Sequence, residues 1–311
     1  MLPVIAGCGH SSGSSVAAEG KPEKTVVRVS VLPTIDLVPL WLAQQDGYFR
    51  DEGITVESVV MPDGQPPLDR MVGGDIDIAF SSYVPFFTAV SAHRADLKVV
   101  AGGSYSRPGS SVIATVPDSP VKTIGDLAGK RIAIVGTDTA SQLLIRSVMN
   151  DHGVAEGRVT WVEMPLAATA AALRDGQVDA AYLPEPFLTQ AAVTAGAYRL
   201  ADTSSGSTQD FPLTGYAATA EWVGKYPKTL AAFQRALQRA VHDSADRGRV
   251  EPLLSRDLKV DAGTAALLTL PSFEAKLDSR RLQRVPDLLR TMLVTPTAVD
   301  ARRLTVPQPS E

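Results

Sequence analysis

A single cysteine, Cys8, occurs in the 311 residues, which excludes an internal disulfide and any zinc site built from several thiolates. Histidine is scarce too. His10, His93, His152 and His242 are scattered with no metal-ligand spacing, so metal chemistry is not expected. No segment approaches the roughly 18–20 consecutive apolar residues of a membrane span. There is no Ser-His-Asp order, no P-loop and no dinucleotide-binding G-x-G-x-x-G, and no cofactor is expected. Basic residues are not in excess. A net charge of −4 and a pI near 5.7 argue against nucleic acid or an anionic membrane face as the main partner.

What is present is the composition of a soluble globular protein, 44% hydrophobic and 21% charged, in a chain long enough for two ordinary domains. Ile5-Ala6-Gly7-Cys8 resembles a bacterial lipobox, in which the cysteine is diacylated and anchors the mature protein. The apolar stretch before it is uncharged and shorter than an ordinary signal h-region. Residues 1–24 are therefore expected to be a shortened signal and a flexible Gly/Ser-rich tether. Gly9-His10-Ser11-Ser12-Gly13 fits G-x-S-x-G but lacks the strand and helix that a nucleophile elbow needs.

The rest of the chain is organised around an echo. Gly176-Gln177-Val178-Asp179-Ala180-Ala181-Tyr182 repeats the plan of Gly74-Asp75-Ile76-Asp77-Ile78-Ala79-Phe80, a Gly helix stop followed by a compact buried strand. A second pair, Arg28-Val29-Ser30-Val31-Leu32-Pro33-Thr34 and Arg131-Ile132-Ala133-Ile134-Val135-Gly136-Thr137, lies at nearly the same offset. Strands are expected at 25–32, 54–61, 76–80, 97–102, 111–116, 131–135, 160–164, 178–182 and 213–220. Helical patterns fall between them, and Leu230, Phe233, Leu237 and Val241 form an amphipathic stripe in the last third. Alternating strands and helices predict an α/β fold with mainly parallel sheets flanked by helices.

These motifs resemble one family. Val29-Ser-Val-Leu-Pro-Thr, Gly47-Tyr48-Phe49 with Glu52-Gly53-Ile54, Asp126-Leu-x-Gly-Lys and Glu185-Pro186-Phe187 join the two echoes in the order found in ABC-importer substrate-binding proteins. The family takes nitrate, sulfonates, taurine and thiamine-pyrimidine precursors. The resemblance implies a two-lobe periplasmic-binding-protein fold (type II), with a ligand in the cleft and two crossover strands near 111–115 and 213–219. Lobe one would comprise residues 25–115 plus 215–311, and lobe two 116–214. It also implies an extracytoplasmic monomer, a small-molecule solute and membrane permease subunits as partners.

Cleft residues are expected at strand ends and helix starts. In lobe one these are Thr34, Asp36, the turn at Gly64, and Ser81, Ser82 and Tyr83; in lobe two they are Gly136, Thr137, Asp138, Thr139 and Glu185. Tyr83 suits stacking on a planar ligand, with Tyr105 behind it. A helix start can hold an anion, the arrangement of the sulfonate- and nitrate-type members. Asp36 and Asp138 would repel an anion there, so a planar or nitrogen-containing organic solute gains weight. Asp36 and Asp138 also fit helix N-caps, Glu185 a hinge salt bridge, and Asp77 and Asp179 structural pairing. The rival class is an enzyme of the same fold, of thiamine-pyrimidine or menaquinone-pathway type. The former relies on a Cys-rich motif absent here. A third reading is a ligand-sensing domain for a regulator or kinase, which nothing appended to this chain supports.

Overall fold

The computed structural model describes residues 20–61 and 66–309; Cys8, the G-x-S-x-G segment and Gly64 lie outside the described residues. Eleven strands are described: β1 (Val26–Val31), β2 (Thr55–Val60), β3 (Ala79–Ser82), β4 (Leu97–Tyr105), β5 (Ser111–Thr115), β6 (Arg131–Ile134), β7 (Thr160–Glu163), β8 (Ala180–Pro184), β9 (Tyr198–Asp202), β10 (Pro212–Thr219) and β11 (Ser272–Phe273). Strand β1 pairs in parallel with β2 and, through the Val29–Ile78 bridge, lies beside the start of β3. The order then continues β3-β10-β4-β11, antiparallel throughout. The second sheet has the order β7-β6-β8-β5-β9. Its first three strands are parallel, and β5 runs against both neighbours.

Both lobes thus share one plan, a parallel trio followed by a strand that arrives from the other lobe and runs against it. The sheets are mixed, where mainly parallel ones were expected. The crossovers also move. Because β5 pairs with β8 and β9, and β10 with β3 and β4, the chain passes between sheets at 106–110 and 203–211. Strand β5 accordingly pairs wholly within the second sheet.

Alternation in β1 puts Val27, Val29 and Val31 in the core at 0–4% exposure. The helix Val38–Gln45 packs beside the helix Pro227–Asp243, whose Leu230, Phe233 and Leu237 are buried as the stripe predicts. A second apolar cluster runs from Phe86 and Phe87 of the first lobe through Phe211 to Ile132 and Leu144 of the second. Glu23 and Lys24, expected at the end of the tether, are held by the fold. Glu23 accepts from the N–H groups of Lys228 and Thr229 at 2.9–3.1 Å, capping the helix Pro227–Asp243, and the Lys24 ammonium reaches Asp77 at 2.6 Å.

The repeated Asp residues act as staples at the far end of each sheet from the cleft. Asp77 Oδ2 accepts from the Arg28 N–H at 2.8 Å, while Oδ1 accepts from Lys24 and from Trp222 Nε1 at 3.0 Å. Asp179 Oδ2 likewise accepts from the Arg131 N–H at 2.8 Å, and the Arg131 guanidinium closes on Oδ1 at 2.9 Å. Arg28 and Arg131 also donate to the carbonyls of Gly74 and Gly176.

Candidate functional site

Strand ends from both lobes meet beside the crossovers. From lobe one, β1 runs out into a 3-10 turn, Ile35–Leu37, that carries Asp36. Asp36 is half-buried. Its Oδ2 accepts from the Thr34 hydroxyl at 3.0 Å and its Oδ1 from the Ser104 hydroxyl at 2.5 Å. Ser104 is fixed in turn by Thr214, whose Oγ1 lies 2.8 Å from Ser104 Oγ and accepts from the Ser104 N–H at 3.1 Å. Burial pushes the Asp36 carboxyl above its ordinary range, and the hydroxyl donors offset only part of that.

Tyr182 of β8, in the second lobe, is 8% exposed, and its hydroxyl pairs with Ser111. The Asp36 charge reaches both Tyr182 and Tyr216 of β10 and helps burial push their hydroxyls up. Ser111 Oγ lies 2.6 Å from Thr203 Oγ1, at the start of the second crossover. Ser104, Ser111, Tyr182 and Thr214 were missed from the sequence because interior hydroxyls within strands look like strand filler. Only the Tyr182 position, inside the echo, stood out.

In lobe two the helix Ala140–Asp151 begins at the expected place, but several nearby amides are already taken. The Thr137 N–H donates to Glu163 Oε1 at 2.8 Å, and the Thr137 hydroxyl donates to the same oxygen. The Asp138 N–H donates to Gln142 Oε1 at 3.1 Å, and the Val135 N–H to Ser141 Oγ at 3.1 Å. Thr139 Oγ1 turns back to the Gly136 carbonyl at 2.7 Å. Glu163 thus occupies Thr137 as a built-in anion, and Thr137 holds its carboxyl below the usual range. Asp138 is exposed at φ 54°, and neither it nor Asp36 caps a helix.

Two expected contacts are corrected. Tyr83 is fully buried, its ring against Phe87 and against Gly215, where a Cβ would overlap it. It belongs to the core. Tyr105 is likewise buried, under the Arg281 guanidinium at 3.9 Å. Glu185 is 4% exposed and follows β8 at a cis Glu185–Pro186 bond. Its carboxylate accepts from the Thr189 N–H at 3.1 Å, from the Thr189 hydroxyl at 2.9 Å, and from the Thr269 backbone of the other lobe. It is a hinge group held by neutral donors, with no salt bridge among the described residues. Burial pushes its carboxyl up despite them. Ser81 and Ser82 are half-buried at the end of β3, beside Gly215 and Thr214. Asp36, Thr34, Ser81 and Ser82 therefore gather on one wall, with Gly136, Thr137, Asp138 and Thr139 at the corresponding strand end of the second lobe.

The class defined by this geometry is a two-lobe α/β protein with polar strand ends beside paired crossovers. Residues 34–247 match the family model described as NMT1/THI5 like, and the chain belongs to that family. The chain is 28% identical over 198 residues to an Escherichia coli protein named provisionally for binding aliphatic sulfonates; the match covers 64% of this chain and 60% of that relative's length. A 4-amino-5-hydroxymethyl-2-methylpyrimidine phosphate synthase of Aspergillus parasiticus is 26% identical over 46% of this chain and 40% of its own. Among solved structures, the periplasmic aliphatic sulphonate binding protein SsuA of Escherichia coli superposes with a TM-score of 0.73 at 21% identity, covering 91% of this chain and 97% of that one. That likeness shows the periplasmic-binding-protein fold. Among the described residues no helix is long and apolar enough to cross a membrane.

Proposed function

We propose that the chain is the extracytoplasmic solute-binding component of an ABC importer. It captures a small planar or nitrogen-containing organic solute between its lobes and delivers it to membrane permease subunits. The observation that carries this reading is Asp36: a half-buried carboxylate of one lobe, held by the hydroxyls of Thr34 and Ser104 and by its own N–H, whose charge reaches Tyr182 of the other. A solute touching both walls makes its full set of contacts only when they approach, so binding shifts an open–closed equilibrium by its differential affinity. The lobes in this reading are residues 111–202 and the remainder of the described chain, and Cys8, acylated, is the tether to the outer face of the membrane.

Sulfonate capture is the second reading, favoured by the name of the Escherichia coli relative. Against it stand Asp36 on one wall and Glu163 already seated on Thr137 in the other. An enzyme is a weaker reading still. It has the Aspergillus parasiticus relative in its favour, but a Cys-rich motif is absent from the sequence, whose one cysteine is Cys8.

A thermal-shift screen over aminopyrimidines, organic amines, sulfonates and nitrate tests the solute class. A ligand at 100 times its Kd stabilises by about 2.7 kcal/mol. Scattering with and without the best hit must then report compaction, and a deletion strain must lose uptake of it. Superimposable scattering curves, or unchanged uptake, would overturn the proposal.

A further inference from the structure

Asp36 differs from the other deep carboxylates in what surrounds it. Asp77, 6% exposed, meets the Lys24 ammonium, and Asp179 meets the Arg131 guanidinium. Glu185 sits on helix-start donors and is closed off from water. Asp36 keeps partial exposure, and the side chains that hold it, Thr34 and Ser104, are neutral. A carboxylate has about four acceptor directions. Asp36 commits two of them to the Thr34 and Ser104 hydroxyls and one to its own N–H, which leaves one for an incoming donor. The titratable groups facing it are the hydroxyls of Tyr182 and Tyr216, both kept neutral by burial.

A second observation concerns the cleft ends of the same strands. Leu32 directly after β1 is 47% exposed, Val60 at the end of β2 is 61% exposed, and Val135 directly after β6 is 38% exposed. Leu32 and Val135 are the same position in the two halves of the echo. Each lobe thus presents bare aliphatic surface at its strand ends, while the same strands bury Val27, Val29, Ile132 and Ile134. Leu32 precedes Asp36 by four residues at the end of β1, so bare aliphatic surface and the carboxylate share one strand end, which matches a ligand with a greasy body and a charged or donating head.

We infer that the solute is an organic cation, a protonated amine or amidinium on an apolar body, whose head seats on Asp36, and that the unpaired charge of Asp36 keeps the empty cleft open. The inference rests on the solute-binding reading above. Bringing the lobes together without a ligand strips the remaining water from a carboxylate that pairs with no cation among the described residues, which opposes closure. A cation supplies the counter-ion and removes that opposition. A neutral isostere supplies only hydrogen bonds, and an anion adds repulsion. One side chain therefore selects the ligand and couples its arrival to closure.

The test uses three isosteric probes on the full chain, benzamidinium, benzamide and benzenesulfonate, measured by calorimetry for wild type, Asp36→Asn and Ser104→Ala. Benzamidinium is expected to bind at least about tenfold tighter than benzamide, a difference of about 1.4 kcal/mol. Asp36→Asn should erase that preference and make the ligand-free chain more compact in scattering. Ser104→Ala, which keeps the charge but loosens it, should reduce the preference severalfold, and it carries the test if Asp36→Asn does not fold. Benzenesulfonate binding as tightly as benzamidinium, a preference that survives both substitutions, or no probe binding at millimolar concentration would each overturn the inference. Unchanged uptake in the deletion strain, alongside a clear benzamidinium preference, would remove the importer reading and leave this one standing.

Discussion

The two lobes are copies in plan and opposites at their open ends. At the closed end of each sheet an Asp staples the first strand of the parallel trio through the N–H of an Arg, and the same Arg reaches a Gly carbonyl. At the cleft end the correspondence breaks. Position 36 is an Asp held by Thr34 and Ser104, whereas its counterpart is Thr139, folded back on Gly136, with Glu163 closing the turn at Thr137. The scaffold has been kept and the rim has diverged. One lobe satisfies its own amides with a carboxylate; the other holds a carboxylate on neutral hydroxyls.

The largest expected effect sharpens the comparison at the closed ends. Asp77→Ala strands the buried Trp222 N–H and removes the partner of Lys24, so it should cost about 3 kcal/mol in urea unfolding. Asp179→Ala removes a pair whose Arg131 is 45% exposed, and should cost about 1 kcal/mol or less. Equal losses would mean that burial does not separate the two staples. Burial pushes the Asp179 carboxyl up, but Arg131 outweighs it and holds it low, so its contribution is present at neutral pH and disappears as pH falls through the depressed pKa.

At the open ends the sign reverses. Because burial raises the Asp36 pKa, the native chain takes up this proton more readily than the unfolded chain. That stabilisation is full at acid pH, below the unfolded pKa, and is lost as pH rises through the raised one. Asp36→Asn should therefore stabilise the ligand-free protein by about 1 kcal/mol at neutral pH, with the gain vanishing in acid. A melting temperature lowered at neutral pH would show that Asp36 is a structural anchor. The smallest effect belongs to Glu163→Gln, which weakens two donors from Thr137 and should cost about 0.5–1 kcal/mol. Hydrogen bonds from Thr137 hold the Glu163 carboxyl low, so this loss appears at neutral pH and fades as pH falls through the depressed value. Differential melting across pH reads both.

Much of the fold was legible because core strands write their periodicity plainly, as β1 and β6 do. Strand β9 was not, since Tyr198 and Arg199 are exposed on a sheet edge and carry no apolar run. β8 begins two residues later than its apolar run suggests, because Asp179 is engaged with Arg131 and lies outside the ladder. At the site, the two prolines around Glu185 marked a corner correctly but said nothing of where the carboxylate turns. The direction depended on Thr189 and Thr269, the second of them 84 residues away. Tyr83 followed a strand end, as a cleft residue should, yet its ring lies in the space that Gly215 leaves free. Such pairings over long separations have no local signature.

Gly103 has a consequence larger than its size. A Cβ there would stand 2.7 Å from Thr214 Oγ1, the atom that seats Ser104 and, through it, Asp36. Substitution tolerance around this cleft is therefore a map of empty volume as much as of chemistry. In a saturation library, alanine at position 103 should impair solute capture while the chain still folds, although this residue has no side chain to offer any solute. Selection acting on the occupant of the cleft would reach back through two hydroxyls and preserve, at that point, the absence of an atom.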